Sequence, residues 1–289
     1  MLGALVFLYV DYGSSYVAFK SSFEDLPPLL SSGVLFSLAG AFLVTVALAR
    51  GARLSDVTDL HLRSAMTLGF LMIGVGTGAV MLALQHLESG TTALIQASIP
   101  MWIALGDRVA FGTRLPVRAV VGLAVGFVGI VGLVGGDAAS IPPLWFALVM
   151  IGSMAWAGGV LAARVLPQTD HWLLGVGLQM GLGGLMVVAL GLVHGDLTRV
   201  HSVGAKAAGA WLFLLVFTAL IGFNLFMWLA RTATPTLVGT TNYVDPVVAL
   251  VAGWVVLGEH LTAEAGAAAA VILAGVVLIA TAPSVLATN

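Results

Sequence analysis

Long runs of apolar residues follow one another along the whole chain, and this pattern decides its fold class. Of the 289 residues, 60% are hydrophobic and only 8% are charged. A helix needs about 20 apolar residues to cross the hydrocarbon core of a bilayer, because each residue adds about 1.5 Å of length. The connections between the runs are short and leave no room for a soluble domain. We therefore predict an all-α polytopic membrane protein.

The apolar runs divide the chain into ten predicted transmembrane helices. They lie near residues 1–20, 27–49, 64–85, 90–111, 115–135, 143–165, 171–193, 207–230, 234–257 and 263–283. Eight Lys and Arg residues lie in the loops after the even-numbered helices up to the eighth, against three on the opposite face. Positively charged loops stay in the cytoplasm, so both termini are predicted to be cytoplasmic.

Charge and cysteine content exclude several other classes of protein. The formal net charge of −2 argues against nucleic acid as a partner, and the absence of cysteine excludes disulfides and thiolate metal sites. No catalytic or metal-binding motif is present, so we expect no enzyme activity, no cofactor and no metal. The chain opens directly in an apolar run, so we expect no removable signal peptide. The expected partners are a small-molecule substrate and the lipid bilayer, with the protein a monomer.

Two parts of the chain resemble each other at a nearly constant offset. The segment IPMWIALGDRVAFGTRLPVRAVVGLAVGFVGI returns as DPVVALVAGWVVLGEHLTAEAGAAAAVILAGV, with Pro100 opposite Pro246 at 146 residues. The first and sixth predicted helices also match, with Lys20 opposite Arg164 at 144 residues. Five helices per repeat is an odd number, so residues 1–138 and 139–289 would form two repeats of opposite orientation. This is the inverted-repeat plan of secondary transporters, whose substrate site lies where the halves meet.

Two carboxylates at membrane depth are the first candidate site residues. Asp11 and Asp245 lie inside predicted helices, where an ionisable side chain costs at least ~2.5 kcal/mol unless it faces an aqueous cavity or a partner. Pro246 cannot donate a backbone hydrogen bond, which would open the helix beside Asn242 and Asp245. Asp245, Asn242 and Tyr243 could then bind an ammonium group. Alternatively, Asp245 only forms hydrogen bonds within the helix bundle.

Either carboxylate would carry a proton if its protonation changed during a transport cycle. Asp11 and Asp245 are therefore also candidates for proton coupling. Pro100 and Pro246, at equivalent positions of the two halves, are predicted to kink their helices and to shape the cavity.

Other polar and aromatic residues on the predicted helices are further candidates for substrate binding. Tyrosine and tryptophan offer flat apolar faces with one polar group, and an amide can satisfy a carboxylate or an amine. The candidates are Tyr12, Ser15, Gln85, His86, Gln96, Trp102 and Trp156. The alternatives are helix packing for Tyr12, solvation of His86 at a helix end, and interfacial anchoring for the tryptophans.

Several motifs resemble one known group of membrane proteins. They are YGSSYVAFK in the first helix, LPPLLSSGVLFSLAG entering the second, residues 93–100 in the fourth, and DPVVALVAGWVVLGEHLT in the ninth. On these motifs the chain resembles the drug/metabolite transporter superfamily, of the EamA type. Within it the chain looks closest to amino-acid and metabolite exporters such as the YddG-like exporters of aromatic amino acids.

The resemblance implies six helices, the first, third, fourth, sixth, eighth and ninth, around a central cavity, with the fifth and tenth outside. It implies a multi-pass protein of a bacterial inner membrane that exports small metabolites, most of all aromatic or apolar amino acids, by alternating access. The alternatives are export of cationic drugs or nucleoside-like compounds by proton antiport and, less favoured, a lipid-modifying enzyme. The family pattern is broken at Tyr12, Leu35 and Thr113, where tryptophan, arginine and glutamate are usual.

Overall fold

The computed structural model describes residues 2–112, 115–135, 141–200, 202–232, 241–260 and 262–281. Every regular element in these ranges is helical, as predicted for an all-α membrane protein. Six helices are long and apolar enough to cross a membrane, namely Leu2–Ser22, Pro28–Ala49, Asp59–Leu84, Pro143–Ala162, Trp172–Val193 and Ala205–Phe226. Shorter apolar helices cover Val117–Gly132, Val244–Leu257 and Ala263–Ile279. A polytopic membrane protein is thereby supported, and the count of ten helices stays a prediction.

Within the described ranges, short connections separate most of the helices. In chain order they are α1 (Leu2–Ser22), α2 (Pro28–Ala49), α3 (Asp59–Leu68), α4 (Gly78–Leu84), α5 (Ser89–Gln96), α6 (Ile99–Phe111), α7 (Val117–Gly135), α8 (Pro143–Ala162), α9 (Trp172–Val193), α10 (Ala205–Phe213), α11 (Phe223–Thr232), α12 (Thr241–Ala252) and α13 (Ala263–Ala280). Short 3₁₀ turns at Leu54–Asp56 and Asp196–Arg199 complete the connections.

The third membrane segment begins five residues before the predicted start at residue 64. Helix α3 starts at Asp59 because the side chain of Thr58 caps it, accepting a hydrogen bond from the backbone N–H of His61 at 3.2 Å. The first turns of α3 are polar, so hydropathy alone places the start of the helix too late.

Three stretches have the wide turns of a π-helix. Gly69–Thr77 connects α3 to α4, Leu214–Gly222 connects α10 to α11, and Gly253–Leu257 continues α12. The first two are nine residues long each and begin 145 positions apart, close to the offset of the sequence repeat. Wide turns of this kind are rare and are frequent at functional sites.

The two prolines at equivalent positions of the sequence repeat, Pro100 and Pro246, occupy different local structures. Helix α5 ends at Gln96 and a new helix, α6, begins at Ile99, so Pro100 sits in the first turn of α6, where its missing N–H is not needed. Pro246 instead lies inside α12. The fourth membrane segment is therefore interrupted just before Pro100, and the predicted kink at Pro246 falls within a continuous helix.

Glycines bring helices from the two halves of the chain into backbone contact. A methyl group on Gly40 of α2 would overlap the backbone of Gly181 of α9 and would lie 2.6 Å from the carbonyl oxygen of Gly177. A methyl group on Gly275 of α13 would likewise lie 2.7 Å from the carbonyl oxygen of Gly122 of α7. Small residues permit such close approach, which is the main source of packing energy between helices in lipid.

Helix α1 packs against α12, and α6 packs against α8. Helices α7 and α13 pack mainly against each other. Each of these pairs joins a helix of residues 1–138 to a helix of residues 139–289, so the two predicted halves meet along several seams. The seams formed by α1 with α12 and by α6 with α8 lie next to the cavity described below.

We predict that Gly40→Ala lowers the stability of the protein, because the added methyl group meets backbone atoms that cannot rotate away. Overpacking of this kind costs about 1–3 kcal/mol. The measurement is the midpoint of thermal unfolding in detergent. Gly132→Ala is the matched control, since a methyl group there meets no atom within 4 Å among the described residues. Equal midpoints for the two variants would contradict the contact between α2 and α9.

Candidate cavity between the two halves

A cavity of about 310 Å³ lies between the two halves of the chain. Its walls are apolar for the most part, with polar groups at a few positions. The lining residues are Tyr12, Ser15, Tyr16, Phe19, Leu35, Phe36, Thr77, Val80, Met81, Ala93, Gln96, Ala97, Ile99, Ile103, Trp156, Val160, Leu214, Thr218, Ala219, Phe223, Phe226, Thr241 and Asp245. The volume falls in the range of small-molecule binding sites, which combine apolar walls with a few polar groups.

The walls come from the six helical segments that the family resemblance implies, and also from α2. Leu35 and Phe36 of α2 contribute to the lining, whereas no described residue of α7 or α13 does. Leu35 stands where the family resemblance implies arginine, so the wall is apolar at this position. Helices α7 and α13 correspond to the fifth and tenth predicted membrane helices, which the resemblance places outside the ring around the cavity.

Asp245 places a carboxylate on the cavity wall. Its Oδ1 atom is buried and has no hydrogen-bond partner among the described residues. Gly13 explains how α1 reaches this position, because its missing side chain leaves room for Val248, and an added Cβ would lie only 2.8 Å from the carbonyl oxygen of Asp245. This contact brings Tyr12 and Tyr16 of α1 to the same cavity.

Gln96 and Tyr16 form a second polar group on the cavity wall. The hydroxyl of Tyr16 donates a hydrogen bond to Oε1 of Gln96 at 2.7 Å. This bond uses one lone pair of the amide oxygen and leaves both N–H groups of the amide for other partners. Gln96 can therefore offer hydrogen-bond donors to a bound molecule, while Asp245 offers acceptors.

Asp11 lies close behind the cavity wall and does not line the cavity. Only 3% of the residue is exposed. Its Oδ1 atom accepts a hydrogen bond from the hydroxyl of Thr218 at 2.9 Å, and its Oδ2 atom has no partner among the described residues. The carboxylate fits because position 222 is glycine, where any side chain would overlap Oδ2. Thr218 thus connects Asp11 to the cavity that Thr218 itself lines.

Five of the residues predicted to bind substrate line this cavity: Tyr12, Ser15, Gln96, Trp156 and Asp245. The hydroxyl of Ser15 donates to the backbone carbonyl of Tyr12 at 2.7 Å, and the ring of Tyr12 packs against Phe226 at 6.0 Å between centroids. Their roles in substrate binding stay predictions.

Of the other candidates, Gln85, His86 and Trp102 lie elsewhere. Gln85 and His86 are exposed beyond the end of α4, and His86 stacks on Trp145 with 3.9 Å between ring centroids. Trp102 packs edge-on against Phe127 at 5.5 Å and is not part of the lining. Asn242 and Tyr243 belong to α12, but their side chains lie outside the described part of the chain.

Three threonines of the cavity lining were not predicted from the sequence: Thr77, Thr218 and Thr241. Thr77 and Thr218 lie within the two nine-residue π-helical stretches. The hydroxyl of Thr77 donates to the carbonyl of Met72, five residues earlier, at 3.2 Å, as the wide turn allows. The available signal was a lone hydroxyl within an apolar, glycine-flanked run at similar places in both halves.

The lining holds one acidic residue as far as the described residues show. Asp245 is the only Asp or Glu among them, and no Lys, Arg or His lines the cavity there. No group of three or more His, Asp or Glu side chains in the described ranges is placed to hold a metal ion. The cavity therefore suits a small organic molecule that presents an amine and apolar surface.

An all-helical membrane fold with a cavity between its halves, apolar apart from a carboxylate and an amide, is typical of a membrane transporter. Comparison with known proteins agrees with this class, because the model of the EamA-like transporter family matches residues 1–135 and again 143–281. The chain belongs to the EamA-like transporter family, whose members are named as transporters and not as enzymes.

Individual relatives cover nearly the whole chain. The inner membrane transporter YedA of Escherichia coli (strain K12) is 33% identical over 283 residues, which are 96% of this chain and 90% of YedA. The transporter YoaV of Bacillus subtilis (strain 168) is 23% identical over 91% of this chain and 90% of its own length. An S-adenosylmethionine/S-adenosylhomocysteine transporter of Chlamydia trachomatis is 26% identical over 86% of this chain and 79% of its own length.

One solved crystal structure has the same fold. It superimposes with a TM-score of 0.62 at 20% identity and covers 95% of this chain and 94% of its own chain. The likeness shows the fold alone.

We predict that Thr218→Val destabilises the protein, because valine has the shape of threonine but cannot donate to the buried carboxylate of Asp11. Leaving a buried acceptor without its partner costs about 1–3 kcal/mol. The measurement is again the midpoint of thermal unfolding in detergent, which we expect to fall. Thr218→Ser keeps the hydroxyl and is the matched control. If serine lowered the midpoint as much as valine, the fall in the valine variant could not be assigned to the lost hydrogen bond.

Proposed function

We propose that the protein is a secondary transporter that exports small amphipathic metabolites carrying an amine, with apolar or aromatic amino acids as the leading class. The observation that carries the proposal is the carboxylate oxygen of Asp245 that has no partner among the described residues and lies on the wall of a mostly apolar cavity. A buried carboxylate oxygen without a partner is costly. An ammonium group of the substrate would supply the missing hydrogen bond and the opposite charge.

The polar groups of the cavity suit both ends of an amino acid. Asp245 would bind the ammonium group, and the NH₂ group of Gln96, whose oxygen accepts from Tyr16, would donate to the carboxylate. Phe19, Phe223 and Phe226 offer apolar surface to the side chain of the substrate. Export in particular, and the likeness to exporters of aromatic amino acids, are part of this proposal.

Transport by alternating access of two inverted halves is the second part of the proposal. The family model matches the chain twice, and the two nine-residue π-helical stretches lie 145 positions apart. Both facts support a repeat of about this length. The seams of α1 with α12 and of α6 with α8 flank the cavity, so tilting one half against the other would open it to one face at a time.

The membrane location of the protein is proposed from its relatives and its charges. YedA is an inner membrane transporter by name. We propose the same membrane for this chain, with both termini in the cytoplasm as the Lys and Arg distribution indicates.

Export of organic cations or nucleoside-like compounds is the second candidate. Its support is the acidic residue of the cavity, which has no basic residue among the described lining to balance a substrate carboxylate. The C. trachomatis relative is named for S-adenosylmethionine and S-adenosylhomocysteine, compounds that join an amino acid to a nucleoside. In proton antiport, Asp245 or Asp11 would bind the proton in exchange for the cation.

We predict that Asp245→Asn lowers the uptake of radiolabelled L-phenylalanine into proteoliposomes by about tenfold or more. Hydrogen bonds to charged groups contribute about 1.5–3 kcal/mol, and 1.4 kcal/mol corresponds to a factor of ten. The matched control is Asp56→Asn, a change of the same type in the exposed connection between α2 and α3. Saturable uptake that is equal in both variants would remove Asp245 from the substrate site.

We also predict that Tyr16→Phe raises the KM for L-phenylalanine, because the amide of Gln96 is no longer held by the hydrogen bond to its oxygen. The assay is competition against labelled L-phenylalanine by unlabelled amino acids, nucleosides and tetraphenylphosphonium. Amino acids should compete, and their inhibition constants should rise in the variant while that of tetraphenylphosphonium, which has no carboxylate, stays constant. If only the organic cation competes in the unaltered protein, the second candidate function replaces the first.

A further inference from the structure

Two ion pairs lie at opposite ends of the segment formed by α5 and α6. At one end, Nζ of Lys20 lies 2.8 Å from Oε1 of Glu259, beside Ser89 at the start of α5. At the other end, Arg164 pairs with Asp107 of α6. Ser89 and Asp107 are 18 positions apart, or about 27 Å of helix, which approaches the ~30 Å of the hydrocarbon core. The two ion pairs therefore lie at opposite membrane faces.

The first ion pair is part of a hydrogen-bond network that ties two helices to the chain after α12. The backbone N–H of Ser89 donates to both carboxylate oxygens of Glu259 at 2.9 Å, and the hydroxyl of Ser89 donates at 3.0 Å. Lys20, near the end of α1, also donates to the carbonyl of Leu87 at 2.7 Å. Only 10% of the Glu259 side chain is exposed. The network joins α1 and α5 to the chain that follows α12.

The second ion pair ties α6 to the end of α8. Arg164 follows α8 by two residues, and its guanidinium lies 4.8 Å from the centre of the Phe111 ring, in the last turn of α6. Asp107 accepts from the same guanidinium. Both ion pairs thus join residues 1–138 to residues 139–289, one along the seam of α1 with α12 and one along the seam of α6 with α8.

The sequence repeat relates the two ion pairs. Lys20 and Arg164 are equivalent at an offset of 144 residues. At 146 residues, Glu259 is equivalent to Thr113, which carries no charge, and Asp107 is equivalent to Gly253. The two halves therefore differ at both positions of the acidic partner.

The geometry explains how each half still pairs its basic residue with an acid, despite these two sequence differences. The carboxylate of Glu259 folds back over Gly253 so closely that a side chain on Gly253 would overlap its Oε2 atom. The acid therefore lies beside position 253 in one half and is attached to the equivalent position, Asp107, in the other. Each half presents a basic residue to an acid at the same structural place, although the acid comes from different residues of the sequence.

We infer that Lys20–Glu259 and Arg164–Asp107 are the two gates of the transporter, each holding one membrane face closed. The inference rests on the proposed alternating access, because only a carrier that opens one face at a time needs one separable contact at each face. Both pairs lie along the seams that flank the cavity. Opening the cavity to either face separates the ion pair at that face and leaves the other intact.

A single engineered cysteine tests the two gates, since the chain contains no cysteine of its own. Ala97 lines the cavity and is 3% exposed, so Ala97→Cys reports access from either face. The measurement is the rate of labelling by a membrane-impermeant maleimide in right-side-out and in inverted vesicles. We expect Glu259→Gln to raise labelling from the Lys20 face by about threefold or more, and Asp107→Asn to raise it from the Arg164 face.

Two controls separate gating from general loosening of the structure. The double variant Asp107→Arg with Arg164→Asp keeps an ion pair of reversed polarity at the other face and should bring the labelling raised by Asp107→Asn back towards that of the Ala97→Cys protein. Glu24→Gln removes the ion pair of Glu24 with Lys206, whose side chains are 50% and 59% exposed. Glu24 has the uncharged Gln168 as its repeat equivalent, and we expect its loss to leave the labelling ratio unchanged.

The outcomes distinguish the gates from the proposed function itself. Opposite shifts for Glu259→Gln and Asp107→Asn support the gates. If the Ala97→Cys protein transports L-phenylalanine and is labelled from both faces, but the two variants shift labelling in the same direction or not at all, the gates are wrong and the transporter stands. If Ala97→Cys is labelled from one face only in every variant, and neither it nor the unaltered protein shows saturable flux, alternating access fails and the gates fail with it.

Discussion

The absence of water in the hydrocarbon core is the constraint on which the rest of this structure depends. Every backbone N–H and C=O group there needs a partner within the protein, so the chain crosses as helices. The same constraint limits where the helix pattern can be interrupted. The break before Pro100 and the wide turns at Gly69–Thr77 and Leu214–Gly222 all border the cavity. The π-helical stretch Gly253–Leu257 differs from these three, because Trp254, Val255 and Val256 are exposed and none of them lines the cavity.

The two membrane-embedded aspartates occupy different environments despite their similar sequence contexts. Asp245 reaches the cavity wall, whereas Asp11 is closed off behind it and is held by Thr218. A molecule in the cavity can touch Asp245 directly and can act on Asp11 only through the threonine. Each carboxylate keeps one oxygen without a partner among the described residues, so each retains the capacity to accept one more hydrogen bond or a proton.

Much of the fold and part of the site could be predicted from the sequence, for physical reasons. Hydropathy identifies membrane segments because burial in lipid acts on about 20 residues together. Asp245 and Gln96 could be chosen because polar groups at membrane depth are costly. Thr77 and Thr218 could not, since hydropathy does not distinguish an α-helical from a π-helical turn. The contrast between Asp11 and Asp245, and the pairing of Arg164 with Asp107, depend on which helices pack together.

The contact between α2 and α9 has a mechanical consequence. At its centre, backbone atoms of Gly40 face backbone atoms of Gly177 and Gly181. Side chains can change rotamer and thereby let two helices slide, but backbone atoms in direct contact have no such freedom. The two helices therefore cannot slide along each other at this contact. Under the proposed alternating access, this contact would lie on the axis about which the two halves turn.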